Sequence, residues 1–359
     1  MTEDYNFFLC VVRFALGTEA VDLSKIDANR WKTIYTLCRE QSITGLVFNA
    51  ISKVSKDGIH IPQTVLFDWL ALSKQIELQN QLLNKRVKET FDIFSEACFR
   101  GCLLKGQGNA LMYPSPYIRT SGDIDIWIDG KRKDIKDYVM SRYPDSKDGY
   151  VHIEAPIFKD VDVEVHYIPS LTVGLRFQKR FDLYTELNRE VLFTHEIELP
   201  DGIGKVCTPS FEFNVVYQLM HMKKHFFTSG VGLRHVIDYF YLLKNKPNSY
   251  NQDNINGMLR KLGLMKFTKA IMWVLCQVLG LPDEYLITTQ DSKRGKLLLY
   301  EIMRGGNLGK KDSRYYKKLW QKSESLALYV RNLHMFWLYP EEVLTVPIDG
   351  IVRRYLLKW

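Results

Sequence analysis

The segment Gly122-Asp123-Ile124-Asp125-Ile126-Trp127-Ile128-Asp129 alternates acidic and apolar residues with a period of two. Successive side chains on a strand point to opposite faces, so Ile124, Ile126 and Ile128 bury on one side while Asp123 and Asp125 stand together on the other. The pattern requires a half-buried strand with a core on one face. Two carboxylates held side by side repel unless a cation lies between them. Hard oxygen ligands, few in number and with room for phosphate oxygens and water, outline a divalent metal site. A wet acidic sheet edge is the alternative for a lone Asp-x-Asp.

A second alternating segment, Val161-Asp162-Val163-Glu164-Val165-His166-Tyr167, puts the valines and Tyr167 on one face and Asp162, Glu164 and His166 on the other. A third carboxylate on a neighbouring strand completes a two-metal clamp for in-line displacement at phosphorus, with ions ~3.5–4 Å apart. Spacing alone leaves Asp162 and Glu164 equal candidates for it. Upstream, Lys105-Gly106-Gln107-Gly108-Asn109-Ala110-Leu111 places glycines between a short strand at Leu103-Leu104 and a short helix through Ala110-Leu111-Met112. Glycine lets the backbone approach phosphate, a helix start offers free N–H groups to anions, and Lys105 adds a point charge. The Gly-x-x-x-x-Gly-Lys-Ser/Thr spacing of a P-loop is absent.

Around this centre the spacing is helical. Phe7, Phe8, Val11, Val12 and Ala15 recur at helical steps, and the run from Thr64 to Arg100 has no internal Gly or Pro. Strands are expected at Asp123–Ile128, Val151–Phe158, Val161–Ile168, Val191–Leu199 and Lys205–Thr208, with a helix at Lys131–Arg142. From Phe211 onward helix dominates, with breaks near Ser229-Gly230, Pro247-Asn248 and Gly305-Gly306. Three regions follow: an N-terminal helical region at 1–100, an α/β core at 101–209 and a basic helical domain at 210–359.

At 359 residues, 46% apolar and 25% charged, the chain falls outside the disordered, collagen-like and low-complexity classes. The longest near-neutral apolar stretch, Ala270–Pro282, is about 13 residues, short of the ~20 a spanning helix needs. Acids follow Met1 where a signal peptide carries bases, so export is not expected. Of the six cysteines, Cys98 and Cys102 sit four apart on an expected helix and no CxxC pair exists, so we expect a reduced, cytoplasmic chain. Residues 205–359 carry a net charge of +12 and residues 1–204 one of −4. Such a division suits an anionic ligand shared between an acidic and a basic part, with solvated basic helices as the alternative.

Order and spacing together resemble the polymerase-β-like nucleotidyltransferase superfamily: strand, Gly turn, helix, Asp-x-Asp on a second strand, then an acid on a later one. More narrowly, Leu104-Lys105-Gly106, Tyr113-Pro114, Arg119, Gly122-Asp123-Ile124-Asp125-Ile126 and Val163-Glu164-Val165-His166-Tyr167 look like a bacterial family of uncharacterised nucleotidyltransferases. The likeness continues in His221-x-x-x-His225 and Val231-Gly232-Leu233-Arg234-His235-Val236-Ile237-Asp238, covering about residues 95–245. One departure is that Gly106-Gln107 replaces the superfamily's usual Gly-Gly or Gly-Ser. The resemblance implies an α+β fold in which a small mixed β-sheet nucleotidyltransferase core is flanked by N-terminal and C-terminal helical regions.

It also implies roles. Asp123, Asp125 and Glu164 would ligate one or two Mg²⁺ ions, with Mn²⁺ as a substitute, and carry catalysis. Lys105, Gly106, Arg119, Gly122 and Arg234 would bind the triphosphate of ATP or another NTP. The acceptor would be a small molecule, a protein hydroxyl or an RNA end, with no membrane involved. The alternative is a non-catalytic nucleotide- or RNA-binding module that keeps the fold. Arg119 is equally suited to an ion pair with Asp123 or Asp129, and Arg234 to one with Asp238. His166 is read as structural. His221 and His225 have metal-ligand spacing at i, i+4, but no Glu follows His221 and no third ligand is visible, so zinc is not expected there. The runs Lys293-Arg294-Lys296 and Lys310-Lys311-Arg314-Lys317-Lys318-Lys322, interleaved with Tyr315, Tyr316 and Trp320, are the candidate RNA surface. Finally, a helix starting near Gly232 is expected beside the Glu164 strand, with Arg234 or Lys223/Lys224 pointing into the cleft.

Overall fold

The computed structural model describes residues 3–54, 59–312, 314 and 323–355. Helices α1 (Glu3–Leu16), α2 (Ala28–Glu40), α3 (Thr44–Ile51) and the 34-residue α4 (Gln63–Glu96) lead into the sheet. Asp27 caps α2 by accepting from the backbone N–H groups of Asn29 and Arg30. After α4 the chain turns at Cys98, in the left-handed region (φ 62), and enters β1 (Arg100–Leu103). Cys98 and Cys102 are therefore not on one helix: Gly101 lies in a strand, where a Cβ would collide with Ile126.

The main sheet adds β2 (Ile124–Asp129), β3 (Lys147–Asp148), β4 (His152–Ala155) and β5 (Val163–His166), in the order β1-β2-β5-β4-β3. It is mixed, because β2 and β5 run parallel and the other neighbours antiparallel. A short helix α5 (Gln107–Ala110) follows β1 and α6 (Arg132–Arg142) follows β2. Ile124, Ile126, Ile128, Ile153, Val163 and Val165 bury the apolar face against Leu83, Val87 and Phe94 of α4 and Ile135 and Val139 of α6. β4 and β5 are shorter than the expected strands, and β2 is shifted by one residue, so that Asp123 lies just outside it.

Helices α7 (Leu175–Leu187) and α8 (Arg189–Leu192) precede the hairpin of β6 (Glu196–Leu199) and β7 (Gly204–Cys207). The expected strand from Val191 is thus wrong in its first half. Leu192 and Phe193 are consecutive and both buried, which a helical turn allows and an alternating strand does not. The C-terminal part comprises α9 (Phe211–Phe227), α10 (Leu233–Lys244), α11 (Gln252–Lys261), α12 (Met265–Trp273), α13 (Ser292–Gly305) and the helices Glu324–Asn332 and Pro340–Tyr355. No described helix is long and apolar enough to cross a membrane.

Helices from both ends of the chain share one core, in which Phe8, Val11 and Trp31 join Leu219, Ile237, Ile271 and Leu298. Gln41, fully buried, clasps the two sets: its Nε2 donates to the Ile302 carbonyl (3.0 Å) and its Oε1 accepts from the Leu233 N–H (2.8 Å).

Three residues of the two basic runs, Arg294, Lys311 and Arg314, are held in ion pairs. Arg294 donates to Asp291 (2.6 Å) and to the Leu338 carbonyl (3.1 Å), and Lys311 pairs with Glu40. Arg314 bridges Glu301 (2.5 Å) and Asp312 (2.7 Å). Lys317, Lys318, Lys322, Tyr315, Tyr316 and Trp320 lie outside the described residues. Burial would raise the Asp312 carboxyl, but hydrogen bonds from Arg314 pull it down to about 2. A carboxylate depressed in the folded state contributes stability that is lost as pH falls from ~4, the unfolded value, through the folded one. Stability should therefore fall as pH drops from ~4 to ~2. Urea midpoints for Asp312→Asn should be lower at neutral pH and flatter across that window; an unchanged slope would remove Asp312 from the account.

Candidate functional site

The polar face of the sheet is set by register. Asp125 on β2 lies beside Glu164 on β5, Trp127 beside His166, and His166 beside His152 on β4. Side chains two residues apart share a face, so Asp125, Glu164, His166 and His152 all point the same way. Over them lie Tyr217, Gln218, His221, Lys224 and His225 of α9 and Arg234, His235 and Asp238 of α10, enclosing a cavity of about 330 Å³.

Asp123, Asp125 and Glu164 converge there, each with a carboxylate oxygen within 4.8 Å of the others. Ligand bonds of 2.0–2.6 Å let one cation at their centre reach all three. The competing candidate Asp162 is exposed and does not line the cavity. Asp125 is almost fully buried and meets Lys105 Nζ at 2.9 Å and His166 Nε2 at 3.0 Å. Burial would raise its carboxyl, but Lys105 and then His166 hold it well below the carboxylate range. Asp125 in turn raises Asp123, and Lys105 partly offsets this. The Lys105 ammonium thus already offsets the charge of Asp125, and the three-carboxylate donor set suits a divalent cation.

The residues expected to bind phosphate divide. Lys105 and Gly106 line the cavity. Gly106 has φ +56, which a side chain rarely adopts, and a Cβ there would meet the Asp123 carbonyl at 3.4 Å. Gln107 does not block the turn, because its buried side chain reaches back to Asn84 Oδ1 on α4 (2.7 Å). Gly122 is exposed, with open space around a Cβ, and lies outside the lining.

Arg119 also lines the cavity, with two of its nitrogens engaged in an ion pair. Its Nε and Nη2 donate to Asp238 Oδ1 (2.8 Å) and Oδ2 (2.7 Å), and both side chains are buried. Tyr113 Oη donates to the same carboxylate (2.7 Å), and Asn109 Nδ2 lies 3.3 Å from it. Burial pushes the Asp238 carboxyl up, and Arg119 more than reverses that. The partner is therefore Asp238, and neither Asp123 nor Asp129; Asp129 binds Arg100 (2.6 Å) and Arg189 (2.8 Å).

Asp238 being taken, Arg234 is left facing the cavity. It donates one Nη1 hydrogen bond to the Thr120 carbonyl (2.8 Å), and its buried Nε has no partner. Burial, then Arg119, lowers its affinity for a proton, and an anion beside it would relieve both effects. Lys224 lines the cavity, whereas Lys223 is buried against Glu342 (2.7 Å) and the Gly263 carbonyl (2.9 Å). Helix α10 packs on α9 and α5, across the cavity from Glu164.

Five of the chain's eight histidines line this one cavity: His152, His166, His221, His225 and His235. Burial, then Lys224, drives His225 down to about 3, and burial likewise holds His221 and His235 well below their ordinary range. Those three are neutral at physiological pH. Burial pulls His166 down as well, but its hydrogen bonds to Asp125 and Glu164 outweigh this and raise it. His152 and His235 escaped the sequence reading. His152 had a visible signal, the alternation His152-x-Glu154 on an expected strand.

A mixed sheet with Asp125 on one strand and Asp123 just before it, a glutamate on its parallel neighbour and helices closing the cleft defines a nucleotidyltransferase-like core. The family model for an uncharacterised nucleotidyltransferase matches residues 27–280, and the chain belongs to that family. No curated protein matches the chain. Among solved structures, an antigenic nucleotidyltransferase-like protein from Paracoccidioides brasiliensis is similar at 10% identity and a TM-score of 0.35, over 60% of this chain and 95% of that one.

Proposed function

We propose that the protein transfers a nucleoside monophosphate from an NTP, ATP among the candidates, to a hydroxyl-bearing acceptor, releasing pyrophosphate. The observation that carries this reading is the convergence of Asp123, Asp125 and Glu164 opposite Arg234 and Lys224 in one cavity. Asp123, Asp125 and Glu164 would hold Mg²⁺ or Mn²⁺, which when bound neutralises charge on the transferring phosphoryl group and its leaving pyrophosphate. The chain's own part is positioning. Lys105 holds Asp125 ionised and oriented, Gly106 lets the backbone pass close to Asp123, and the buried helices α9 and α10 fix the basic wall. Glu164, only part-buried, would accept the acceptor hydroxyl's proton. The six free cysteines suit a reducing compartment such as the cytoplasm.

The acceptor is a small molecule, a protein hydroxyl or an RNA end. Incubation with Mg²⁺, each labelled NTP and cell extract should release pyrophosphate and label a product. Tight NTP binding with no pyrophosphate from any extract would instead make this a nucleotide-binding module. Arg234→Ala should weaken NTP binding roughly ten- to a hundredfold, since a charge-assisted hydrogen bond to phosphate is worth ~1.5–3 kcal/mol. Calorimetric titration with the NTP checks this; unaltered affinity would take Arg234 out of the phosphate site.

A further inference from the structure

We propose that His152, Glu164 and His166 form a second cation site, which takes a first-row transition ion such as Mn²⁺, Co²⁺ or Zn²⁺ in preference to Mg²⁺. The proposal goes beyond nucleotidyl transfer and stands without it. Among the described residues, two groups bring three such ligand atoms within 4.8 Å of one another: the three carboxylates, and this trio. The trio is built by register. His152 and His166 are direct cross-strand partners on β4 and β5, their ring centroids 5.0 Å apart, and Glu164 lies two residues back on the same face. Glu164 Oε2 is 3.3 Å from His152 Nδ1 and 3.3 Å from His166 Nε2.

His166 is oriented from outside: its Nδ1 donates to the Ile168 carbonyl (3.3 Å), so Nε2 faces the cluster, where it meets Asp125 Oδ1 at 3.0 Å and would give up its proton on binding the ion. Metal-ligating imidazoles are oriented by a carbonyl on their far nitrogen in this way. His152 Nδ1 is buried and forms no hydrogen bond despite its approach to Glu164. A buried ring nitrogen with no partner costs free energy, and a cation bound to it removes that cost.

The donor types decide the ion. Two imidazoles and one carboxylate, with open positions toward a cavity, match sites for zinc and other first-row ions, whereas Mg²⁺ selects oxygen ligands. Metal–ligand bonds of ~2.0–2.2 Å span the 3.3 Å separation of Glu164 Oε2 from each ring nitrogen. Glu164 belongs to both groups and has two oxygens with which to serve them. The other histidine cluster, His221, His225 and His235, has rings 4.3 to 6.5 Å apart but is not among the converging groups.

Chelator-treated full-length protein titrated with Co²⁺ should develop the visible absorption of a nitrogen-ligated ion, with excess Mg²⁺ failing to displace it. His152→Ala, checked for folding by circular dichroism, should weaken Co²⁺ binding at least ~100-fold. Asp123→Asn should leave that binding intact while abolishing Mg²⁺-dependent NTP binding. If the variant does not fold, Mn²⁺ added to the Asp123→Asn protein, which has lost a ligand of the carboxylate site, gives the same answer, by broadening the His152 and His166 ring resonances before the other histidines. Co²⁺ binding indifferent to His152→Ala, or Mn²⁺ broadening that spares both rings, overturns the proposal. Co²⁺ binding without nucleotide transfer would sink only the transfer reading, and transfer without Co²⁺ binding would sink only this one.

Discussion

Asp123→Asn should abolish Mg²⁺-dependent nucleotidyl transfer while leaving the protein as stable as before or slightly more so. The two effects have one cause. Asp123 stands at the cavity mouth beside Asp125, which raises its carboxyl, so at neutral pH its charge opposes folding in the metal-free protein. Neutralising it removes repulsion from the empty site and a ligand from the filled one. Losing several kcal/mol of charge stabilisation at phosphorus corresponds to a fall of ~10³-fold or more in rate. Pyrophosphate release and thermal unfolding measured on one preparation test both halves. Transfer within tenfold of wild type would remove Asp123 from the metal site. Asp125→Asn is the poorer probe, because it strands the buried Lys105 and His166 without their counter-charge.

Asp238→Asn should destabilise the fold by about 3–5 kcal/mol, the usual cost of removing one partner of a buried ion pair. Arg119 would keep its charge with no carboxylate beside it, and Tyr113 and Asn109 would lose a charged acceptor. The double variant Arg119→Met/Asp238→Leu should recover part of the loss, since apolar replacements of a buried pair are often tolerated. Urea unfolding gives the comparison. An Asp238→Asn variant with an unchanged midpoint and lost nucleotide affinity would restore Arg119 to the phosphate-binding role that its place in the motif implies.

The two faces of β2 and β5 were legible from alternation, because burial on one face of a strand fixes every second residue. The meeting of Asp123, Asp125 and Glu164 followed from that alternation and from the family resemblance together. Partner choice was not legible. Arg119 and Asp238 are 119 positions apart, and nothing local to either distinguishes an ion pair from a phosphate contact. The same holds for His152 and His166, whose junction depends on strand order and register. Gln107 looked like a disturbed phosphate turn, yet its side chain finds Asn84 on a helix that had ended before the turn began. The helical reading of Cys98–Cys102 failed because helix spacing ran up to Phe94 with no stop signal before Gly101.

The clasp at Gln41 has a consequence for how the protein is made. Its partners, the Leu233 N–H and the Ile302 carbonyl, lie 192 and 261 positions further on. At ~5–20 residues per second, the ribosome delivers the second of them roughly 10–50 s after the first helices have emerged. Throughout that interval Phe8, Val11 and Trp31 have only part of the surface they finally bury against. The sheet with α4 and α6, by contrast, has its own core and can close early. Nascent chains stalled just after residue 210 should therefore resist protease across the sheet while remaining sensitive ahead of residue 51, so that the floor of the site is laid down before its roof.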